Sequence, residues 1–288
     1  MKLAEKWIAL ILALVLCCAM TLSASAVTFT DAHGNEIELD ETLEAYSAFV
    51  LPGADNAARQ AETSLGDLWA DALRWFAVSG NINTWFEEDD VTAGNTQVQA
   101  DADHIVALWN GGNLRADLPE GTFGAQQLAE ILPYPNKVAV VYMTGAQLLE
   151  ALEAASQGLP CTAETVDACA SFMQVSGLCY TVDTTLPYDK GEAYGDHWFR
   201  AASLGRVTID SVNGQPFDTE AVYAVITSNA NFNGMDSSYV FKAAAEENEK
   251  STITTAVVRD VVWQYIAEEL GNRIGDPYAS AQGRITIR

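Results

Sequence analysis

The sequence predicts an α+β fold in which mixed sheets carry flanking helices. Three observations lead there. Apolar residues recur at helical spacing in some segments and alternate, or run unbroken, in others, so both periodicities are present. The two kinds of segment follow one another irregularly, which a doubly wound parallel sheet does not do. Turn dipeptides such as Asn213-Gly214 stand between strand-like runs and mark hairpins.

The elements can be justified in order. Residues 1–26 read as an export signal: Lys2 and Lys6 give a positive start, "WIALILALVLCCAM" an apolar run, and Ala24-Ser25-Ala26 a small-residue cleavage site. The run is too short for an ordinary membrane span, and no later stretch is long and apolar enough to cross a bilayer. The expectation is a secreted or cell-envelope protein, cleaved after Ala26, with no membrane span. Residues 27–56 read as a hairpin over 27–40 and a connector, and 57–288 as one domain.

Within that domain Leu65, Leu68, Trp69, Ala72, Leu73 and Phe76 follow helical spacing, with Thr63 or Ser64 placed to cap. "HIVALWN" reads as a buried strand stopping at Gly111-Gly112, and Thr122 as the cap of a helix through Leu132. "KVAVVYM" is a strand, and "TGAQLLEALEAAS" a helix capped by Thr144. "FMQVSGLCYTV", "GRVTIDSV" and "EAVYAVITSN" are strands. "TTAVVRDVVWQYIAEELGN" reads as one long amphipathic helix closed by Gly271, and "GRITIR" as a last strand.

The formal charge is −24, and it becomes −25 once Lys2, Lys6 and Glu5 leave with the signal. Such a surface repels nucleic acid polymers and anionic membranes, so no nucleic acid partner is expected. Cys17 and Cys18 fall in the signal. Cys161 and Cys169 flank a short loop and suit pairing in an oxidising compartment, whereas Cys179 reads as a buried thiol in a strand. Their spacing is not that of a zinc site.

The segment "LWNGGNLRADLPEG" draws a buried strand into Asn110-Gly111-Gly112, where nothing bulky can stand, and sets Arg115 close behind. Exposed amides at a strand end, with an Asn and an Arg, suit an anion. Further blocks accompany it in order: "RQAETSLGDLWADAL", "LAEILPYPNKVAVVYMTGAQLLEALE", "FMQVSGLCYTVD", "GRVTIDSVNGQPFDTEAVYAVITSNANFNGMDSSY" and "GRITIR". From about residue 57 to 288 the chain resembles the C-terminal domain of the 5'-nucleotidase family, which includes UDP-sugar hydrolases and cyclic phosphodiesterases.

In that family the C-terminal domain holds the nucleotide, while an N-terminal two-metal domain carries out hydrolysis. The resemblance implies that Arg59, Asn110 and Arg115 hold anionic or polar parts of a nucleotide. Tyr134 and Phe172 are the two candidates for stacking on the base, and Asp236 accepts hydrogen bonds from ribose hydroxyls. Two departures stand out. The loop Gly234-Met235-Asp236-Ser237-Ser238-Tyr239 replaces the family's G-G-D-G-[YF], and Ala230 occupies the place of a second stacking aromatic, with Phe232 as a candidate substitute. Read without the resemblance, Arg59 pairs with Glu62, Asn110 and Arg115 stabilise a turn, Tyr134 and Phe172 are core, and Asp236 is an N-cap.

"TFTDAHGNEIEL" has the D-x-H-G look of a first metal-binding strand, through Asp31 and His33. A two-metal centre needs several more ligands from distant strand ends. The sequence has His33, His104 and His197 alone, and contains neither N-H-E nor G-H-x-H. The motif therefore reads as a turn, suited by Asp31, Gly34 and Asn35, and no catalytic residue, metal or cofactor is expected in this chain.

Three functions follow. The first is an extracytoplasmic protein that binds a nucleotide or nucleoside and is not catalytic alone. The second is a domain that completes a nucleotide or UDP-sugar hydrolase with a separate metallophosphatase chain. The third is an envelope interaction module whose pocket has decayed.

Overall fold

The computed structural model describes residues 26–31, 33–40 and 43–288; the export-signal reading of residues 1–26 falls almost wholly outside them. The chain forms two compact units, one ending at Leu43 and the other spanning Glu44–Arg288.

In the first unit Ala26–Thr30 (β1) and Glu36–Asp40 (β2) pair antiparallel, closing on Thr30↔Glu36. The turn between them is built by Asp31. Its Oδ1 accepts the backbone N–H groups of His33 (2.9 Å) and Asn35 (2.8 Å), and its Oδ2 accepts from Asn35 Nδ2 (2.9 Å). Gly34 supplies a left-handed φ of +85°. The Asn35 side chain, ahead of the backbone bonds, holds the Asp31 carboxyl below the usual carboxylate range. D-x-H-G is thus the turn of a hairpin.

The second unit begins at Glu44 rather than at residue 57. Glu44–Ser47 (β3), expected to be connector, is a strand because it pairs antiparallel with Gly121–Gly124 (β5) and parallel with Arg273–Ile274 (β14). The helices Ala57–Gln60 (α1) and Ser64–Val78 (α2) follow. Thr63 caps α2, its Oγ1 accepting from Gly66 N at 3.0 Å. Glu88–Thr92 (α3) leads to Ile105–Asn110 (β4). Thr122 lies inside β5 and caps nothing. The helix Ala125–Ile131 (α4) starts from Gly124, whose N–H is bound by Gln127 Oε1 at 2.8 Å.

Lys137–Thr144 (β6) runs into Gly145–Ala155 (α5), whose start is a capping box: Thr144 Oγ1 accepts from Gln147 N, and Gln147 Oε1 accepts from Thr144 N. The single expected strand over 172–182 is two, Met173–Ser176 (β7) and Leu178–Val182 (β8), broken where Gly177 takes φ +80°. Lys190–Tyr194 (β9) and Trp198–Ala201 (β10) form a hairpin. Val207–Val212 (β11) ends at the Asn213-Gly214 turn, where φ is positive at both residues. Val222–Ser228 (β12), Asn229–Phe232 (α6) and Tyr239–Glu247 (α7) precede the segment read as one helix. That segment starts inside a strand, Thr252–Val257 (β13), and continues as a helix, Val258–Glu268 (α8); the β-branched residues Thr252, Ile253 and Val257 pair with β6 across a register shift. Ile285–Ile287 (β15) closes the chain.

The central sheet has the order β13-β6-β12-β4-β7; β12 and β4 are parallel, and the other neighbours are antiparallel. Both of its faces are covered. Ile105, Ala107, Trp109, Val140 and Ile226 point into a core shared with α2 and α8, and Val106, Leu108, Val141, Met143 and Val225 into one shared with α5 and α7. This two-sided burial explains why "HIVALWN" reads as an unbroken apolar run. A three-stranded sheet, β11-β8-β15, lies beside it in sequence through β7–β8. Among the described residues no helix is long and apolar enough to cross a membrane.

Polar groups tie the C-terminal strand to α2. Glu62 accepts the N–H groups of Arg284 (3.0 Å) and Ile285 (2.9 Å), and Arg284 Nη2 donates to Asp71 Oδ2 at 2.8 Å. Asp67, fully buried, accepts from Gln282 N at 3.0 Å with Arg284 Nη1 3.8 Å from its other oxygen. Burial pushes the Asp67 carboxyl up to about 8, against the opposing pull of Arg284.

Candidate functional site

The parallel pair β4 and β12 delivers its two C-terminal ends side by side, in the register Ala224↔Ile105 to Ile226↔Ala107. Beyond those ends lies an open pocket of about 390 Å³. Ligand crevices favour this position, since strand ends leave amide groups without ladder partners.

β4 ends on Asn110, whose Oδ1 accepts from Asn113 Nδ2 at 2.8 Å. The following turn is wedged between two other segments. A Cβ on Gly111 would stand 1.8 Å from Ala58 O, and one on Gly112 would stand 2.5 Å from Ala170 O. Only glycine permits that approach, and the approach brings α1, with Arg59, to the edge of the site. Arg115 is anchored by its own N–H, which donates to Ile131 O at 2.9 Å. Its exposed guanidinium carbon lies 5.9 Å from the centroid of the Tyr134 ring, within cation–π range.

β12 ends on Ser228, whose Oγ accepts from Asn231 N (3.2 Å) and starts α6. The loop after α6 folds back through Gly234 N to Asn231 O (2.9 Å) and Met235 N to Ala230 O (3.0 Å), and sets Asp236 at φ +54°. A left-handed aspartate is tolerated at some cost. Asp236 is not a helix cap; Ser238 holds that position. Burial raises its carboxyl above the usual range, and Arg59 and Arg115 pull it back down. The same groups act on Arg59, lowered by burial and by Arg115 and raised by Asp167 and Asp236. Two guanidiniums, Arg59 and Arg115, and the Asp236 carboxylate therefore share one electrostatic neighbourhood, with the Asp167 carboxylate also acting on Arg59.

Of the six residues singled out in the sequence, Asn110, Arg115, Tyr134 and Asp236 line the pocket. Arg59 sits at its edge, 7% exposed, with Nη1 donating to Val166 O at 3.0 Å. It makes no ion pair with Glu62, whose oxygens hold the Arg284 and Ile285 amides. Phe172 is the correction: at 1% exposure it packs in the second core against Tyr180, so it offers no face to a ligand. Its backbone serves the site instead, Phe172 O accepting from Gly111 N at 2.7 Å. Phe232, half-buried, packs against that core and is not among the residues lining the pocket beside Ala230.

Sequence reasoning missed Asn113, Asn136, Ala170, Asn229 and Asn233, which line the pocket together with Met235 of the departing loop. Asn229 Oδ1 accepts from Lys137 N (3.0 Å) and Asn233 Nδ2 donates to Asn229 O (2.7 Å), so amides brace this wall. The signal that could have found them is "NANFNG" directly after a buried strand. Met235 stands beside Ala230, 57% exposed. Among the described residues no three His, Cys, Asp or Glu side chains gather in a group suited to a metal ion. Cys161, Cys169 and Cys179 are free thiols; Cys179 is half-buried rather than buried, on the rim of a separate polar hollow with Asp71, Arg74 and Arg284.

The family model of the 5'-nucleotidase C-terminal domain matches residues 42–246, and the chain belongs to that family. A cell wall protein of Listeria monocytogenes, Lmo0130, is 28% identical over 240 residues, covering 78% of this chain and 25% of its own. The trifunctional nucleotide phosphoesterase protein YfkN of Bacillus subtilis is 25% identical over 258 residues, covering 88% and 14%. The chain thus spans a quarter or less of these relatives. Among solved structures, a 5'-nucleotidase precursor from Thermus thermophilus superposes with a TM-score of 0.59 at 26% identity, covering 85% of this chain and 39% of the other. The NAD nucleotidase of Haemophilus influenzae shares the fold, with a TM-score of 0.57 at 12% identity, covering 91% and 48%.

Proposed function

We propose that this chain binds a nucleotide or nucleoside outside the cytoplasm, in the pocket at the ends of β4 and β12. The observation that carries the reading is the meeting of three unlike groups there. Asp236 offers a carboxylate with no hydrogen-bond donor on it among the described residues, suited to a pair of neighbouring sugar hydroxyls. Tyr134, 45% exposed, offers a flat face for a base. Arg115, with Arg59 behind it, offers positive charge for a phosphate. Asn110, Asn113, Asn229 and Asn233 add donors and acceptors for base edges. A volume of about 390 Å³ suits one nucleoside.

The extracytoplasmic setting rests on the sequence of residues 1–26 and accords with a relative described as a cell wall protein. Calorimetry with AMP, adenosine and UDP-glucose tests the reading. One stacking face and one or two arginine contacts, after association costs, support micromolar to millimolar affinity. Absence of heat and of NMR shifts at millimolar ligand overturns it.

A second reading is favoured by the far greater length of the relatives, one of them named a nucleotide phosphoesterase. In it the domain presents the nucleotide to a metallophosphatase domain on a separate chain. Hydrolysis of AMP with Mn²⁺ that needs both components supports it; background rates with both present exclude it.

A further inference from the structure

The loop from α5 to β7 is fastened at both ends. Arg206 donates from Nη1 to Ser156 O (2.9 Å) and from Nη2 to Leu159 O (2.8 Å) at its start, and Gly111 N holds Phe172 O (2.7 Å) at its finish. Two of its residues reach the site. Val166 O is the acceptor for Arg59 Nη1, and Ala170 is part of the pocket wall.

Two thiols stand across this loop. Cys169 is buried, its Sγ 3.0 Å from Gly158 O, and Cys161 is half-buried against the second core. Thr165 brings them together. Its Oγ1 accepts from Thr162 N (2.8 Å) and donates to Pro160 O (3.1 Å), so it holds both neighbours of Cys161; the same oxygen lies 3.8 Å from Cys169 Sγ. Through Thr165 the two thiols sit on one short turn, and burial, then the neighbouring Cys161 thiol, pushes Cys169 up to about 12.

We propose that Cys161 and Cys169 form a disulfide that fastens the Arg59-binding loop. The oxidant is a low-molecular-weight disulfide such as oxidised glutathione, encountered in an oxidising compartment. The more accessible Cys161 thiolate attacks one sulfur of that disulfide and expels a thiolate. The Cys169 thiolate then attacks the Cys161 sulfur of the mixed disulfide and expels the second. The two protons lost by the protein thiols go to the two leaving thiolates, and the electron pair goes with them. Cys179 takes no part, because it lies on β8 at the hollow beside Arg284.

The test uses the reduced full chain, equilibrated with oxidised glutathione, alkylated and mapped by peptide mass spectrometry. The expected result is a linked Cys161–Cys169 peptide that dithiothreitol separates, and a Tm raised by about 5–10 °C on closing so short a loop. Cys179→Ser keeps both effects, and Cys161→Ser and Cys169→Ser abolish them. Alkylation of both Cys161 and Cys169 after equilibration, or a link from either to Cys179, overturns the proposal. So does a linked form with the Tm of the reduced one, since the bond would then fasten nothing. None of these readings depends on a nucleotide.

Discussion

The guanidinium of Arg115 lies against the face of Tyr134, 5.9 Å from the ring centroid, so the charge and the aromatic surface of the pocket form one wall. At that distance the guanidinium is within cation–π range of the ring. A ligand with both a base and a phosphate can use the wall whole, and a ligand with only a base uses half of it.

The first prediction separates those halves. Arg115→Ala should weaken AMP binding by about 10–100-fold, the worth of a charge-assisted contact, and leave adenosine within about threefold. Tyr134→Ala should weaken both alike, by about 5–150-fold. Calorimetry on the two variants checks this; equal losses for AMP and adenosine in Arg115→Ala would remove the phosphate role.

Asp236 should discriminate sugars. Ribonucleosides, with two neighbouring hydroxyls, should bind more tightly than their deoxy counterparts, and Asp236→Asn should erase most of that difference. Because burial raises this carboxyl, and Arg59 and Arg115 only partly restore it, binding should begin to fail at a higher pH than an ordinary carboxylate dictates. A titration of affinity against pH checks the direction; an affinity that does not change on acidification excludes the ionised carboxylate as the acceptor.

Gly111→Ala tests the wedge. Its Cβ would meet Ala58 O at 1.8 Å, and that oxygen belongs to backbone, so the cost is about 2 kcal/mol or more, or a Tm lower by about 4–8 °C. The displacement moves α1, and Arg59 with it, so AMP affinity should fall too. Thermal melting and calorimetry read the two effects; a variant with native Tm and affinity denies the close approach.

Asp67 governs a pH dependence of stability. Its folded-state pKa, about 8, lies above the value of an exposed carboxyl. Below the ordinary range both states are protonated and the group is neutral to stability. Between that range and about pH 8 the unfolded chain releases a proton that the folded chain retains, so stability falls as pH rises; above about 8 the effect is complete. Asp67→Asn keeps an acceptor for Gln282 N and carries no charge. It should flatten this decline, gaining on the order of 4 kcal/mol at pH 8 relative to pH 5. Melting curves across the window check it; parallel curves for variant and parent reject the assignment.

Much of the fold was legible where local pattern and tertiary role agree. Thr63 and Thr144 cap the helices their spacing suggested, and β4 and β6 read as buried runs because both faces of their sheet are covered. Thr122 and the segment 252–257 misled for one reason. Their partners, β3 and β6, lie far off in sequence, and strand pairing overrode a pattern equally compatible with a helix. At the site, residues of unusual chemistry could be found singly: Arg115 behind two glycines, Asp236 in a glycine loop. Phe172 reads as core from the residues alone and as a stacking candidate from the resemblance, and its 1% exposure matches the core reading. The asparagines come from separate segments and meet only in three dimensions.

The parallel contact between β4 and β12 carries a last consequence. Thr227 donates to Leu108 O across 119 positions of chain, and both walls of the crevice hang from that one seam. Recognition therefore cannot outlive an unfolding event that parts these two strands. A fragment holding "NGGNLR" without its distant neighbour keeps every letter of the motif and has nowhere to put a guest.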